Sequence, residues 1–541
     1  MGARGSKKEY KIGNSEQRQD ADNQFIEKVV CKDDELQDGC MAEYEMGQEG
    51  KILLIKENGI YSALGTKCTH YGAPLKNGVL MDGKIRCHWH GACFNSKTGD
   101  IEDFPGLDSL PCYQVSVSNG EVKVKASVEA LKNNKRVKPL IKYSHANPAT
   151  FVVIGGGAAG HVCAETLRQE GFSGKIILVS RENSLPYDRP KLSKVLDAKA
   201  SDLYMRNEDF YKKTDISVML NTEVTSVDTV EKWVACNNGK LKVKYDKLMI
   251  ATGGEPVTLT VPGSDLKNIF YLRTPNDGQM IAKEAAGKSV VILGSSFIGM
   301  EVASYMLNKA SSINVIGRSS VPFSAIFGKE IGQRIKDIFI EKGVIFHSGD
   351  NISKLNGTDG VLESVELSSG TKIPADICIV GIGVRPATEF LKDSGITMNN
   401  KGHILVNEML ETNLKGVYAG GDIVEFPLTS YENKRVNICH WQMALVHGRY
   451  AALNMIDKNA VLQTVPFFWS TMFGKSFRYA GYGEGFDEII IKGDIESLQF
   501  IAYYCKESKV VAVCTCNKDP EAAKFASCVS LGETLSKSQI Q

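Results

Sequence analysis

The chain has 541 residues, 43% of them hydrophobic and 23% charged, with a formal net charge of +1. That length accommodates three or four domains, and so even a charge balance offers no electrostatic footprint to a nucleic acid. No apolar run reaches the length of a membrane-spanning helix, and the fourteen Cys lack the regular spacing of a disulfide framework, which places the protein in a reducing, cytoplasmic setting.

Residues 1–22 are polar and read as a disordered tail. The first eight, MGARGSKK, fit the pattern for N-myristoylation at Gly2, with Ser6 and the basic Lys7 and Lys8 behind it. One acyl chain would give weak membrane association; the alternative is a tail that matches by chance. Neither a secretory signal nor an Arg-rich amphipathic presequence is present.

From residue 23 to 126, short β-like segments alternate with turns, among them Lys51–Ile55, Ile60–Ala63, Val115–Val117 and Glu121–Val124. This pattern predicts a small all-β domain. Within it lie Cys68-Thr69-His70 and Cys87-His88-Trp89-His90, with sixteen residues between His70 and Cys87. Cys68, His70, Cys87 and His90 form the ligand set of a Rieske [2Fe–2S] centre, in which two Cys hold one iron and two His the other. A structural zinc site is the alternative, although such motifs usually run Cys-Cys and then His-His. Respiratory Rieske proteins place two disulfide-forming Cys where this chain has Ala73 and Trp89, and hydroxyls to the cluster sulfurs where it has Ala92 and Phe94. Without those hydrogen bonds the potential falls, toward the ferredoxin type that a nicotinamide-fed flavin can reduce.

Residues 127–149 are rich in Lys, Asn and Pro and read as a linker with one short helix. From Phe151 to about 460 apolar strands, Gly-rich turns and helices alternate, which predicts parallel sheets with helical crossovers. The boundaries suggest one dinucleotide domain in two parts, 150–275 and 405–463, a second nested at 276–404, and a separate α+β domain at 464–541.

The first dinucleotide turn is FVVIGGGAAG, with Gly155, Gly157 and Gly160. The first glycine makes the turn, the second admits pyrophosphate and the third packs helix on strand. Glu182, after the strand Lys175–Ser180, suits a ribose hydroxyl; related flavoproteins place that acid one residue earlier, where Arg181 stands. The second turn is VVILGSSFIG, with Gly294, Ser296 and Gly299, so Ser crowds the pyrophosphate position. Its following strand ends in Gly317-Arg318-Ser319-Ser320 without an acid, which favours a 2′-phosphate and hence NADPH. The alternative is that Arg318 is a solvated surface side chain.

Two nested Rossmann units together with Thr412–Asp422 resemble the two-dinucleotide-binding flavoprotein reductases. The resemblance implies FAD in the first unit and NAD(P)H in the second, with Asp422 on the ribityl chain and Thr252 and Gly253 as a second FAD contact. LPYDRPKLSK at 185–194, Gly299-Met300-Glu301, HWQMA at 440–444 and PFFW at 466–469 sharpen it. They resemble the apoptosis-inducing-factor and oxygenase-coupled ferredoxin-reductase flavoproteins, here in a Rieske-bearing form, over about residues 45 to 520. The resemblance implies that Lys194 lies beside flavin N5 and pairs with Glu301, both as catalytic residues. It also implies that Arg189 and Pro190 touch the flavin and that Trp469 lies near the isoalloxazine ring, with core packing as the alternative for Trp469. A mitochondrial location is the alternative it leaves open.

Two chemistries are excluded. No Cys pair follows the first Rossmann helix, so a redox-active dithiol is missing, and His440 and His447 lack the spacing of a mononuclear iron site. The expected activity is electron flow from NAD(P)H through FAD to the chain's own Rieske cluster and on to an unidentified acceptor, a protein being one candidate. The alternative is an NAD(P)H-responsive pro-apoptotic signalling protein with slow, incidental turnover.

Overall fold

The structure is a computed structural model that describes residues 24–540. Gly2 and the tail expected at 1–22 lie outside the described residues. Among those described, no helix is long and apolar enough to cross a membrane.

Two antiparallel sheets build the N-terminal domain. The larger has six strands, from Phe25–Lys32 to Glu121–Ser127. The smaller is a meander of Val79–Met81, Lys84–Arg86, Cys93–Asn95 and Ile101–Asp103, and its two middle strands hold the Cys87–His90 loop between them. The segment expected as a linker contains the helix Val128–Asn133. It is fastened to the β domain, because Arg136 donates to Leu110 O, Thr98 O and Asp100 Oδ1.

Two parallel five-stranded sheets follow, one interrupted by the other. The first runs Ile216–Met219, Lys175–Val179, Thr150–Ile154, Lys247–Ile250, Val417–Ala419; its last strand returns only after the second unit is complete. The second runs Ile269–Tyr271, Ile377–Val380, Ser289–Leu293, Ser312–Gly317, Ile345–Ser348. Ile269–Tyr271 lies ahead of the boundary expected at 276, and it joins this sheet because it pairs with Ile377–Val380. The central strands are Val- and Ile-rich runs buried along nearly their whole length, as parallel strands covered by helices must be. The C-terminal domain is a five-stranded antiparallel sheet, 467–516, backed by the helix Glu521–Ser530. Cys514 and Cys516 are buried on its strand Lys509–Cys516 as packing residues.

The β domain does not hang free. One apolar cluster runs without a break from its Leu53, Phe94 and Leu110 into Val152, Val162 and Leu445 of the first dinucleotide unit. Polar contacts pin the seam: Arg206 to Asp108 at 2.6 Å, Arg449 to Ile101 O at 2.9 Å, Gln442 to Asp103 at 3.1 Å and Arg86 to Ser527 at 3.2 Å. Gly91, in the second Cys–His loop, lies against the Phe467 ring, and a Cβ there would come within 2.7 Å of it.

Candidate active site and cluster site

A cavity of about 750 Å³ runs from the first glycine turn to the C-terminal domain, large enough for an extended cofactor. Gly155 has φ +115°, and a Cβ there would meet Ala251 O at 2.1 Å. At Gly160 a Cβ would meet Gly155 O at 1.9 Å, so helix and strand touch backbone to backbone. Gly157 has nothing within 4 Å of its Cβ position and faces open cavity. The helix Ala158–Gln169 starts there, with amide groups turned to receive a phosphate.

Charged groups gather along one wall. Glu182 accepts from Arg189 at 2.8 Å and from Tyr187 at 2.7 Å. Its carboxylate therefore reaches the cavity already held by two donors. Asp422 lines the same wall; burial raises its pKa, against the pull of Arg273 and Arg189. Arg273 was not singled out from the sequence. Among the described residues its guanidinium has no hydrogen-bond acceptor, and burial together with the neighbouring Arg189 charge lowers it to about 10. Two adjacent guanidiniums facing a cavity are suited to an anion such as a pyrophosphate. His440, at the N-cap of the helix Trp441–Met455, adds a buried Nδ1 without a partner. A glycine cradle that a Cβ would fill, a guanidinium without a partner among the described residues and an orphaned imidazole nitrogen all fit a bound dinucleotide. Thr252 and Gly253 line the cavity too; Thr252 Oγ1 donates to Ala387 O, and Gly253 has φ +69°.

At the far end, Lys194 Nζ donates to Glu301 Oε2 at 2.8 Å and to Pro190 O at 3.1 Å. Glu301 is buried, and it also accepts from Ser470 at 2.7 Å and from Ser193. The ammonium is thus fixed by a carboxylate that is itself fully hydrogen-bonded, with its free side toward the cavity. Arg189 and Pro190 lie on the short 3-10 turn leading to it and line the cavity.

The two Cys–His loops are near copies. Cys68 N donates to Ala73 O and Gly72 N to Cys68 O; Cys87 N donates to Ala92 O and Gly91 N to Cys87 O. Gly72 and Gly91 both have φ near +80°, which closes each turn at no steric cost. The loops bring the Cys68 and Cys87 thiols, both buried, within reach of each other. They also set His70 Nδ1 and His90 Nδ1 3.0 Å apart. Among the described residues no three His, Cys, Asp or Glu donors converge as a single-ion site. The donors come as a thiol pair and an imidazole pair, which fits a two-iron cluster with one pair on each iron. Burial lowers His70 to about 3, so neutral imidazole is the form presented. His88 is buried away from this pairing.

Trp469 joins the two sites. It lines the cavity, and its ring lies 4.3 Å from that of His90 and 5.5 Å from that of His70, centroid to centroid. Core packing does not describe it, because it is only half-buried and stands between cavity and cluster loops.

The second glycine turn lies outside this cavity and meets it only through Phe297, Ile298 and Glu301. Gly294 has φ +120° and Gly299 packs on Gly294 O, as in the first turn. Ser296 has φ −109°, so its backbone needs no glycine, and its side chain is exposed at the turn. Arg318, Ser319 and Ser320 are exposed at the end of Ser312–Gly317, and Arg318 has no ion-pair partner among the described residues. Of the cysteines, Cys439 alone lines the cavity among the described residues, so there is no dithiol pair.

Two dinucleotide folds around a charged cavity, with paired Cys and His loops beside it, define a nicotinamide-dependent flavoprotein with a built-in Rieske centre. Residues 149–448 match the pyridine nucleotide-disulphide oxidoreductase family, residues 27–114 the Rieske [2Fe-2S] domain and residues 467–541 the reductase C-terminal domain. The chain belongs to the pyridine nucleotide-disulphide oxidoreductase family. It is 46% identical over 521 residues to apoptosis-inducing factor 3 of Homo sapiens, covering 95% of this chain and 86% of that protein. A ferredoxin reductase from Rhodopseudomonas palustris is similar in structure, with TM-score 0.69, 26% identity, and 72% and 96% of the two chains covered. Putidaredoxin reductase, in its covalent complex with putidaredoxin, gives TM-score 0.67 and 28% identity over 71% and 93% of the chains. The protein is an NAD(P)H oxidoreductase that uses FAD and a [2Fe–2S] cluster.

Proposed function

We propose that this protein carries electrons from NAD(P)H through FAD to its own Rieske cluster and then to a protein acceptor. Bound FAD would supply the conversion of a two-electron hydride into single electrons, the form that a [2Fe–2S] cluster held by Cys68, His70, Cys87 and His90 could take. The observation that carries the reading is the position of Trp469, on the cavity wall and 4.3 Å from the His90 ring.

The chain's own residues then have separate tasks. Gly155, Gly157, Gly160, Arg273 and Asp422 bind and orient FAD, and Glu182 with Arg189 holds the wall beside it. Lys194, held by Glu301, is assigned to flavin N5. No general acid–base triad is required, because positioning nicotinamide against flavin supplies the rate. Gly294, Ser296, Gly299 and Arg318 are assigned to NAD(P)H. The docked β domain keeps cavity and cluster at a fixed separation, so transfer needs no encounter between two proteins. A related reductase has been captured with a separate partner, putidaredoxin; here a cluster domain belongs to the same chain. Trp469→Leu tests the reading in anaerobic stopped flow: flavin reduction by NADPH should stay at the wild-type rate while cluster reduction slows. Equal cluster reduction in both proteins would refute it.

The name of the 46% identical relative favours a second reading, slow turnover in a signalling protein. Steady-state NADPH oxidation with ferricyanide separates the two. We place the protein in the cytoplasm with a weak membrane hold through acylated Gly2; Gly2→Ala should then empty the membrane fraction, and an unchanged distribution would remove that hold.

A further inference from the structure

Trp469, on the wall of the flavin cavity, stands 4.3 Å from the His90 ring and edge-on to the His70 ring at 5.5 Å, so the side on which electrons arrive is already covered. Electrons that reach the cluster need another way out. Trp89, beside His90, is packed against the core. Tyr71 is placed differently. Its ring stacks on His70 with centroids 3.6 Å apart and planes at 19°, and stands edge-on to His90 at 5.4 Å. It is also 38% exposed. Its hydroxyl donates to Asp188 at 2.5 Å, and Lys191 Nζ lies 5.0 Å over the ring, so the ring is held in place rather than free to swing.

The ground around Tyr71 is basic. Lys67 sits at the base of the same loop, bridged to Pro74. The Asn134 side chain bonds both the N–H and the C=O of Lys67, which brings Lys135 to the same edge. Lys67 and Lys135 are exposed and have no ion-pair partner among the described residues. Lys191 is the third ammonium. Asp188 is the carboxylate among them, and it is engaged by Tyr71 and by Lys191 at 3.5 Å.

The geometry points to Tyr71 as the electron exit from the cluster, and to Lys67, Lys135 and Lys191 as a docking rim for a one-electron carrier protein with an acidic face. This inference rests on the electron flow proposed above and names the class of acceptor. One electron leaves the reduced cluster and one enters the carrier's metal centre; no bond forms or breaks and no proton moves. Electron tunnelling weakens steeply with distance, so a ring that touches a ligand and also reaches solvent shortens the gap to a docked carrier. Complementary charge speeds the encounter and sets its orientation.

The test uses the full-length holoprotein with two probes, cytochrome b5 as an acidic haem protein and cytochrome c as a basic one. Binding of oxidised cytochrome b5 is measured calorimetrically without NADPH, at low and high salt. Exit is measured by reducing the cluster with dithionite, removing the excess and following its reoxidation by each probe. Cytochrome b5 should react about tenfold faster at low salt than at high salt, and cytochrome c should show no such gain. Lys67→Glu with Lys135→Glu should abolish cytochrome b5 binding. Tyr71→Leu should bind cytochrome b5 normally and lose fast reoxidation, whereas Tyr71→Phe, which keeps the ring, should retain it. Wild-type reoxidation in Tyr71→Leu, or binding indifferent to salt and charge reversal, would overturn the inference. Because dithionite reduces the cluster without NADPH, these outcomes stay distinct from failure of the electron flow itself, which would show as a wild-type cluster that NADPH does not reduce.

Discussion

Arg206→Gln should unfasten the β domain at a cost of about 3–5 kcal/mol, the range for breaking a buried ion pair from one side. Arg206 donates to Asp108 at 2.6 Å and to Glu165 at 2.8 and 3.0 Å, and the three side chains are 12%, 10% and 5% exposed. Burial alone would raise Glu165. The His161 imidazole, 3.2 Å away, and the Arg206 guanidinium outweigh it and bring Glu165 from 4.5 down to about 2. At about 1.4 kcal/mol per pH unit, that depression corresponds to about 3 kcal/mol, in line with the range for the pair. The folded-state value lies below the unfolded one, so this stabilisation is complete above pH 4.5 and is lost as pH falls through about 2. In Arg206→Gln the Glu165 carboxyl should titrate higher, so the deficit should be largest at neutral pH and narrow in acid. Urea unfolding, followed through tryptophan fluorescence at pH 7.5 and about pH 3.5, measures both. A loss under about 1 kcal/mol, the worth of an exposed pair, or a deficit that does not narrow in acid, would refute the reasoning.

Three further outcomes follow from the sites. The reduced protein should show a Rieske-type EPR signal with a potential near the low end of the Rieske range, about −150 mV; His90→Cys should change the spectrum while His88→Asn leaves the iron in place, and a zinc-loaded colourless protein would contradict this. Arg318→Ala should weaken NADPH by about 1.5–3 kcal/mol, the worth of a hydrogen bond to a charged group, with NADH nearly unaffected; a strong wild-type preference for NADH in stopped-flow flavin reduction would show that Arg318 does not reach the coenzyme. His447 accepts from Gly421 N–H at 3.1 Å, and burial lowers it to about 3. Its folded-state value lies below the unfolded one, so it stabilises fully above about pH 6.5 and progressively less down to about 3. His447→Gln, which cannot titrate, should remove about one proton from the pH dependence of unfolding between pH 6.5 and 4; an unchanged slope would be evidence against a neutral buried imidazole.

What could be read from the chain was what local spacing controls. Gly155, Gly157 and Gly160 announce a turn that only backbone-to-backbone contact explains, and Cys68, His70, Cys87 and His90 repeat one loop twice. The link between Lys194 and Glu301 came from resemblance rather than spacing, since 107 positions separate them. Arg273 escaped notice because it stands before an ordinary capping box, Thr274 with Asp277, and only the fold turns it toward the cavity. The seam was illegible for the same reason. Arg206 meets Asp108 across 98 positions, and Gly91 meets Phe467 between two domains, so neither contact leaves a periodic trace in the chain. Even the second sheet's edge strand, Ile269–Tyr271, is too short to announce itself without its partner Ile377–Val380.

The central claim is that flavin and cluster exchange electrons within one molecule. The most direct test is rapid-freeze EPR of the holoprotein mixed anaerobically with NADPH over a range of protein concentrations. The expected result is a cluster signal that follows flavin reduction with a first-order rate independent of protein concentration. A rate that rises in proportion to concentration, or a cluster that stays oxidised while the flavin is reduced, would contradict it.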